Sequence, residues 1–275
     1  MTMKNSTIAR LGNSAILFAI LLRAPTSGRL LAAEIHEPVR LKVSDSHRFL
    51  VTSDGKPFFW LGDTAWELFH RLNRDETERY LTDRAAKGFT VIQAVALAEL
   101  DGVTVPNAQG HLPLIKEDLH HPDVKGGPDN DYWDEAEWVI ALAATKGLYV
   151  GLLPMWGKPC PADPSSCERC GRFIGERFQA HLNLIWILGG DRPARTKNEQ
   201  DCWRAMAKGI TLGVSGREDD ATELMTYHTF GPTPRPTIFT TIPGSISTAS
   251  SPATATPSST GTGWSRITNG GRSNR

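Results

Sequence analysis

The 275-residue sequence lacks a surplus of either charge: 30 Lys and Arg offset 30 Asp and Glu. Without a global field, neither nucleic acid nor an anionic membrane surface is expected as a partner, and the ligand should be uncharged or small. Cysteine is scarce, with only Cys160, Cys167, Cys170 and Cys202, and no His-x-His or second C-x-x-C completes the Cys167/Cys170 pair into a zinc set. No G-x-G-x-x-G or Walker pattern follows an expected strand, so nucleotide chemistry is not indicated and no cofactor is called for. Past the N-terminal leader no apolar run is long enough to span a bilayer. After Pro234 the chain has no Asp, Glu, Leu or Val. Such a segment cannot bury enough apolar surface to offset its ordering entropy, so residues 235–275 are expected to be disordered.

What is present begins with a leader. Lys4 and Arg10, the apolar run 15–22 and the small pair Ala32 and Ala33 follow the order of a signal peptide over residues 1–33. A secreted or periplasmic protein is expected, in which the cysteines either form one or two disulfides pinning a loop or remain thiols. The pairing cannot be read from spacing.

Residues 41–59 alternate apolar and polar side chains around Ser53-Asp54-Gly55-Lys56-Pro57, which reads as a β-hairpin. A rhythm of strands and helices follows. Strands are expected at 58–61, 90–96, 148–155, 184–188 and 223–227, with helices at 74–87, 132–145, 171–181 and 199–210. The strands are apolar and β-branched, as strands buried on both faces should be. A cysteine-bearing loop is expected after the third strand, and a long loop, 99–128, exceeds what a connection needs. About five strand-helix units in series argue for a helix-covered parallel sheet. Polar and aromatic clusters end four of the strands, which favours an incomplete (β/α)8 barrel over an open sheet with one switch point.

Those strand ends supply the candidate site. Asp191 stands out beside Gly189, Gly190 and Arg192, although an aspartate there can instead cap the next helix or pair with Arg192. Asp63 and Thr64 are placed to hydrogen-bond the hydroxyls of a ligand, or to cap a helix. Trp66 and Trp156 lie just beyond strand ends, where indole faces either stack on an apolar face of a ligand or pack in the core. Tyr227 and His228 close the fifth strand, and Gln93 is central in the second. His120 and His121 are adjacent in an extended loop and point opposite ways, so no metal is assigned.

Three strings, FLVTSDGKPFFWLGDTAW (49–66), DNDYWDEAEWVIALAATKGLYVGLLPMWG (129–157) and LIWILGGDR (184–192), closely resemble the apiosidase-like glycoside hydrolases. The resemblance covers roughly residues 40–234. It implies a (β/α)8 barrel that cleaves glycosidic bonds, such as those of side-chain sugars on plant or microbial polysaccharides, with two carboxylates. Asp191 falls on the position of the acid, and a glutamate expected on a later strand has no counterpart here. An oligo- or polysaccharide is the implied partner. Read one nucleotide out of register, Thr240 to Ser247 (TTIPGSIS) permits HDDPWLDF and Ser251 to Thr254 (SPAT) permits QSGH, strings that look like the family's next segment. The tail is therefore expected to be frameshifted and the chain truncated and inactive. The alternative is a non-catalytic carbohydrate-binding protein or pseudoenzyme with a genuine Ser/Thr-rich linker.

Overall fold

The computed structural model describes residues 38–156, 163–191, 193–218 and 223–228. The leader, Cys160, Arg192 and the tail from residue 229 lie outside the described residues.

Two sheets are present among the described residues. β1 (Leu41–Val43), β2 (Leu50–Thr52) and β3 (Pro57–Phe58) form an antiparallel meander. One hairpin was expected. The additional reversal at residues 44–49 is closed by Ser44, whose N–H donates to Phe49 O at 2.9 Å and whose carbonyl accepts from His47 N at 2.8 Å.

The second sheet is parallel, in chain order: β4 (Gly62–Thr64), β5 (Val91–Leu97), β6 (Tyr149–Met155), β7 (Leu184–Gly189) and β8 (Met225–His228). Helices α1 (Leu68–Arg71), α2 (Arg74–Ala86), α3 (Tyr132–Thr145), α4 (Pro164–Phe178) and α5 (Lys197–Ser215) lie between the strands in sequence. Their starts follow capping chemistry. Asn73 and Glu76 form a capping box at α2, Thr196 and Glu199 form another at α5, and Asp131 accepts from the N–H groups of Trp133 and Asp134 at α3.

The first barrel strand differs from expectation. Phe58 belongs to the small sheet, and Thr90 Oγ1 accepts from Leu61 N at 2.9 Å while donating to Phe59 O at 2.7 Å. The ladder starts only at Gly62, which pairs with Val91, followed by Asp63 with Ile92 and Thr64 with Gln93. Asp63 and Thr64 thus lie inside the strand, and its two-residue period sends them to opposite faces.

The cysteine-bearing loop is also corrected. Asp163 caps α4 through Ser166 N at 2.9 Å, with Pro164 in the first turn, so the helix starts before Gly171 and carries Cys167 and Cys170.

The outer face of the parallel sheet packs Ile92, Leu152 and Trp186 with helix residues Ile140, Ile174 and Ile210. The inner face is layered. Val91, Tyr149, Ile185 and Leu224 meet Leu41, Leu50 and Phe58, so the small sheet floors the strands' N-terminal ends. Val95, Leu153, Ile187 and Trp156 form the next layer toward the C-terminal ends. Each such side chain, fully buried, contributes roughly 1.5–3 kcal/mol. Polar contacts fasten the floor: Tyr149 OH donates to Val39 O at 2.6 Å, and Arg40 pairs with Glu223, which also accepts from Trp186 Nε1 at 3.1 Å.

Candidate active site

The C-terminal strand ends bring four of the expected residues together. Asp191 is the second residue past β7 and His228 ends β8, where Gly189 and His228 are register partners. His228 Nε2 lies 3.1 Å from Asp191 Oδ1, and the Asp191 side chain is 61% exposed, so its carboxyl remains open to a ligand. The His228 ring stands edge-on to Trp156 at 5.1 Å and to Trp66 at 5.9 Å between centroids. Trp66 and Trp156 are themselves 4.7 Å apart, tilted by 44°. A carboxylate, an imidazole and two indoles thus share one mouth of the sheet.

The tryptophan pair also walls a hollow of about 370 Å3 on the β4–β6 side. That volume lies within the usual range of small-molecule sites, about 300–1,000 Å3. Thr64, Tyr80, Glu67 and Glu99 line it together with the two indoles, under an otherwise mostly apolar wall. Thr64 reaches the hollow because β4 places it on the inner face with Gln93. Gln93 crosses that face toward both neighbouring strands: a Cβ built on Gly62 would lie 3.5 Å from its Nε2, and one on Gly151 would lie 3.2 Å from its Cγ.

Two expected residues face elsewhere. Asp63 turns to α2, where its Oδ2 accepts from Tyr80 OH at 3.0 Å and faces Arg84 Nε at 2.9 Å, while Oδ1 accepts from Thr64 N. Burial, and then the hydrogen bond to Asp63, push the Tyr80 hydroxyl well above its ordinary pKa. Tyr227 sits on the helix side of β8, edge-on to Trp203 of α5 at 6.0 Å. Arg192 lies outside the described residues.

Glu67 and Glu99 were not singled out from sequence. Glu67 is nevertheless the residue after Trp66, at the step from strand mouth to helix α1. Its Oε2 faces His70 Nδ1 at 3.0 Å and Arg71 Nε at 3.3 Å. Those two side chains reach on to the long loop, at Val105 O (3.1 Å) and Leu100 O (3.2 Å), so α1 pins the loop that roofs the hollow.

The adjacent loop histidines do diverge. His120 Nε2 is 2.5 Å from Ser166 Oγ, whereas His121 Nδ1 is 2.9 Å from Asp118 Oδ2. Among the described residues no group of three or more His, Cys, Asp or Glu is arranged to hold a metal ion.

A parallel sheet in chain order with helices between its strands, floored at one end and carrying a carboxylate and indoles at the other, is part of a (β/α)-barrel. Solved structures agree. A glycoside hydrolase family 5 protein from Bacteroides vulgatus superposes with TM-score 0.61 at 32% identity, over 70% of this chain and 40% of that one. Another, described as a glycoside hydrolase, gives 0.61 at 34% identity, over 71% and 42%. A putative glycoside hydrolase from Bacteroides vulgatus, at 16% identity and TM-score 0.51 over 74% and 40%, shares the fold. The chain belongs to the apiosidase-like family, whose catalytic domain matches residues 44–249. It spans about two fifths of the length of the first two structural relatives. Among curated proteins none matches.

Proposed function

We propose that this chain carries the first five strands of a glycoside hydrolase barrel, in which Asp191 is the acid that protonates a leaving glycosidic oxygen. Side-chain sugars of plant or microbial polysaccharides are the substrate class. The observation that carries the reading is the 3.1 Å contact between Asp191 and His228, with both indoles against the imidazole. Cleavage by this route takes a second carboxyl group, as nucleophile or as base for water. The glutamate that the family resemblance implies for that role has no counterpart in this sequence, so the 275-residue chain alone is proposed to bind sugar without turning it over. General acid and base steps each contribute about 10²–10⁴-fold, which sets the scale of the loss. Export, directed by the leader, belongs to the same proposal.

A second reading is a dedicated carbohydrate-binding protein, favoured by the mostly apolar hollow beside the indoles. One experiment addresses both: saturation-transfer NMR and product analysis with oligosaccharides released from plant cell-wall polysaccharides. Binding by the wild type that weakens in Asp191→Asn and His228→Ala, with no product from any of them, is expected. Robust turnover would remove the paired-carboxylate argument, and no binding at all would remove both readings. Loss of residues 1–33 from material secreted by an expression host tests the leader.

A further inference from the structure

The short helix α1 carries a histidine whose surroundings fix its proton count. His70 is 5% exposed, and each of its ring nitrogens faces an oxygen. Nδ1 lies 3.0 Å from Glu67 Oε2, and Nε2 lies 3.1 Å from Val105 O. A backbone carbonyl only accepts, and so does an ionised carboxylate. A neutral imidazole has one N–H and one lone pair, so either tautomer leaves a lone pair against an oxygen. Turning the ring over would set carbon atoms against both oxygens and lose both contacts. The imidazolium, with two N–H groups, donates to both.

The neighbours are arranged for that state. Arg71 Nε donates to the same Glu67 Oε2 at 3.3 Å, so this oxygen is already an acceptor and has no proton to give to the ring. Among the described residues no other carboxylate comes within 4 Å of the ring nitrogens. β5, packed beneath α1, carries no titratable side chain. From α3, Tyr132 feels the Glu67 charge: burial, and then that charge, hold its hydroxyl far above its ordinary pKa. It stays neutral and donates to Ala96 O at 2.5 Å.

What the second proton holds is the long loop. Val105 lies on it, Ala108 N donates to His70 O at 2.9 Å, and Arg71 Nη2 donates to Leu100 O at 3.2 Å. Glu99 and Leu100 of the same loop line the hollow. We infer that His70 carries both ring protons when the loop is seated, and that loss of one as pH rises releases Val105 and loosens the roof of the hollow. His70 is thus a positioning residue, acting on the wall of the hollow through the loop. The latch belongs to this chain alone, and its test needs no sugar.

That test uses the full chain, isotope-labelled at nitrogen in its histidine rings and backbone amides, and observed by NMR. The His70 ring signals are identified by their loss in His70→Gln. From about pH 6 to about pH 9, the range over which histidines change charge, the ring should pass from doubly protonated to a single neutral tautomer. Over the same interval the Ala108 amide should lose about tenfold in hydrogen-exchange protection, the scale of one hydrogen bond to a charged group. Protection is taken relative to an unstructured peptide, so that base catalysis of exchange cancels. Glu67→Gln is the second variant: its amide can donate to Nδ1 while Nε2–H keeps Val105 O, so protection should stay high and lose its pH dependence. A neutral ring at the acid end, or a doubly protonated one at the alkaline end, would overturn the inference. So would Ala108 protection that stays level while the ring titrates, or protection in Glu67→Gln that falls as the wild type's does.

Discussion

His228 Nε2 lies 3.1 Å from Asp191 Oδ1, which ties the last residue of β8 to the turn that leaves β7. Two neighbouring strands thereby present one polar pair at the same height as the indoles of Trp66 and Trp156. The hollow beyond those indoles belongs to the other three strands, so the tryptophan pair is the partition between carboxylate and cavity.

That position sets the first prediction. Trp156→Ala removes the ring that touches both His228 and the hollow, and oligosaccharide affinity should fall about tenfold, equivalent to about 1.4 kcal/mol. Titration by calorimetry reads the change. Unaltered affinity would mean that the sugar sits elsewhere.

The second concerns the clamp between α2 and α3. Arg74 donates to Glu135 through Nε at 2.9 Å and Nη2 at 2.8 Å, and its guanidinium lies over Trp138 at 4.8 Å. Because Glu135 is buried, Arg74→Met strands a carboxylate and should cost about 1–3 kcal/mol in urea unfolding. Arg74→Lys should recover only part, since an ammonium cannot reproduce the two-point fork. Full recovery by lysine would show that charge alone suffices.

A pH dependence follows from Asp134. Burial works against its charge, but the Asn130 N–H, the Arg177 guanidinium 2.6 Å away and the capping turn outweigh it and hold its pKa below the ordinary value. A carboxyl lowered in the folded state stabilises at neutral pH, and that contribution fades as pH falls through the lowered value. Asp134→Asn should therefore be less stable than the wild type at pH 7, with the gap narrowing in acid. An equal gap at both ends of the titration would refute the assignment.

The contact between α4 and α5 gives the fourth: a Cβ on Gly209 would lie 2.1 Å from Glu168 O, and one on Gly213 would lie 2.3 Å from Arg172 O. Gly209→Ala puts a methyl group into the space held by Glu168 O, and the helices must part, at a cost of about 1–3 kcal/mol. Thermal unfolding should show it, while alanine at Gly216, whose added Cβ would meet nothing within 4 Å, should act only through backbone strain at its φ of 74°.

Where local pattern and tertiary demand coincided, the fold was legible. The helix at Tyr132–Thr145 has its cap, its apolar stripe and its terminating Gly147 all in sequence, and the observed bounds match. A helix from Gly171 was expected, but α4 starts at Pro164 under the Asp163 cap, and Gly171 is glycine because Met206 O of α5 lies against it. Asp63 was misplaced by a strand phase that depends on the long-range bond between Thr90 and Leu61. That Asp191, His228 and the two tryptophans meet at the strand ends was legible because strand ends are marked locally. Glu67 and Glu99 could not, because the hollow exists only once α1 pins the long loop.

The antiparallel floor has a consequence for traffic. With Leu41, Leu50 and Phe58 packed against the base and Arg40 paired with Glu223, the inner face is shut at the strands' N-terminal ends. Access to that face is left to the indole end and to the outer edges of β4 and β8.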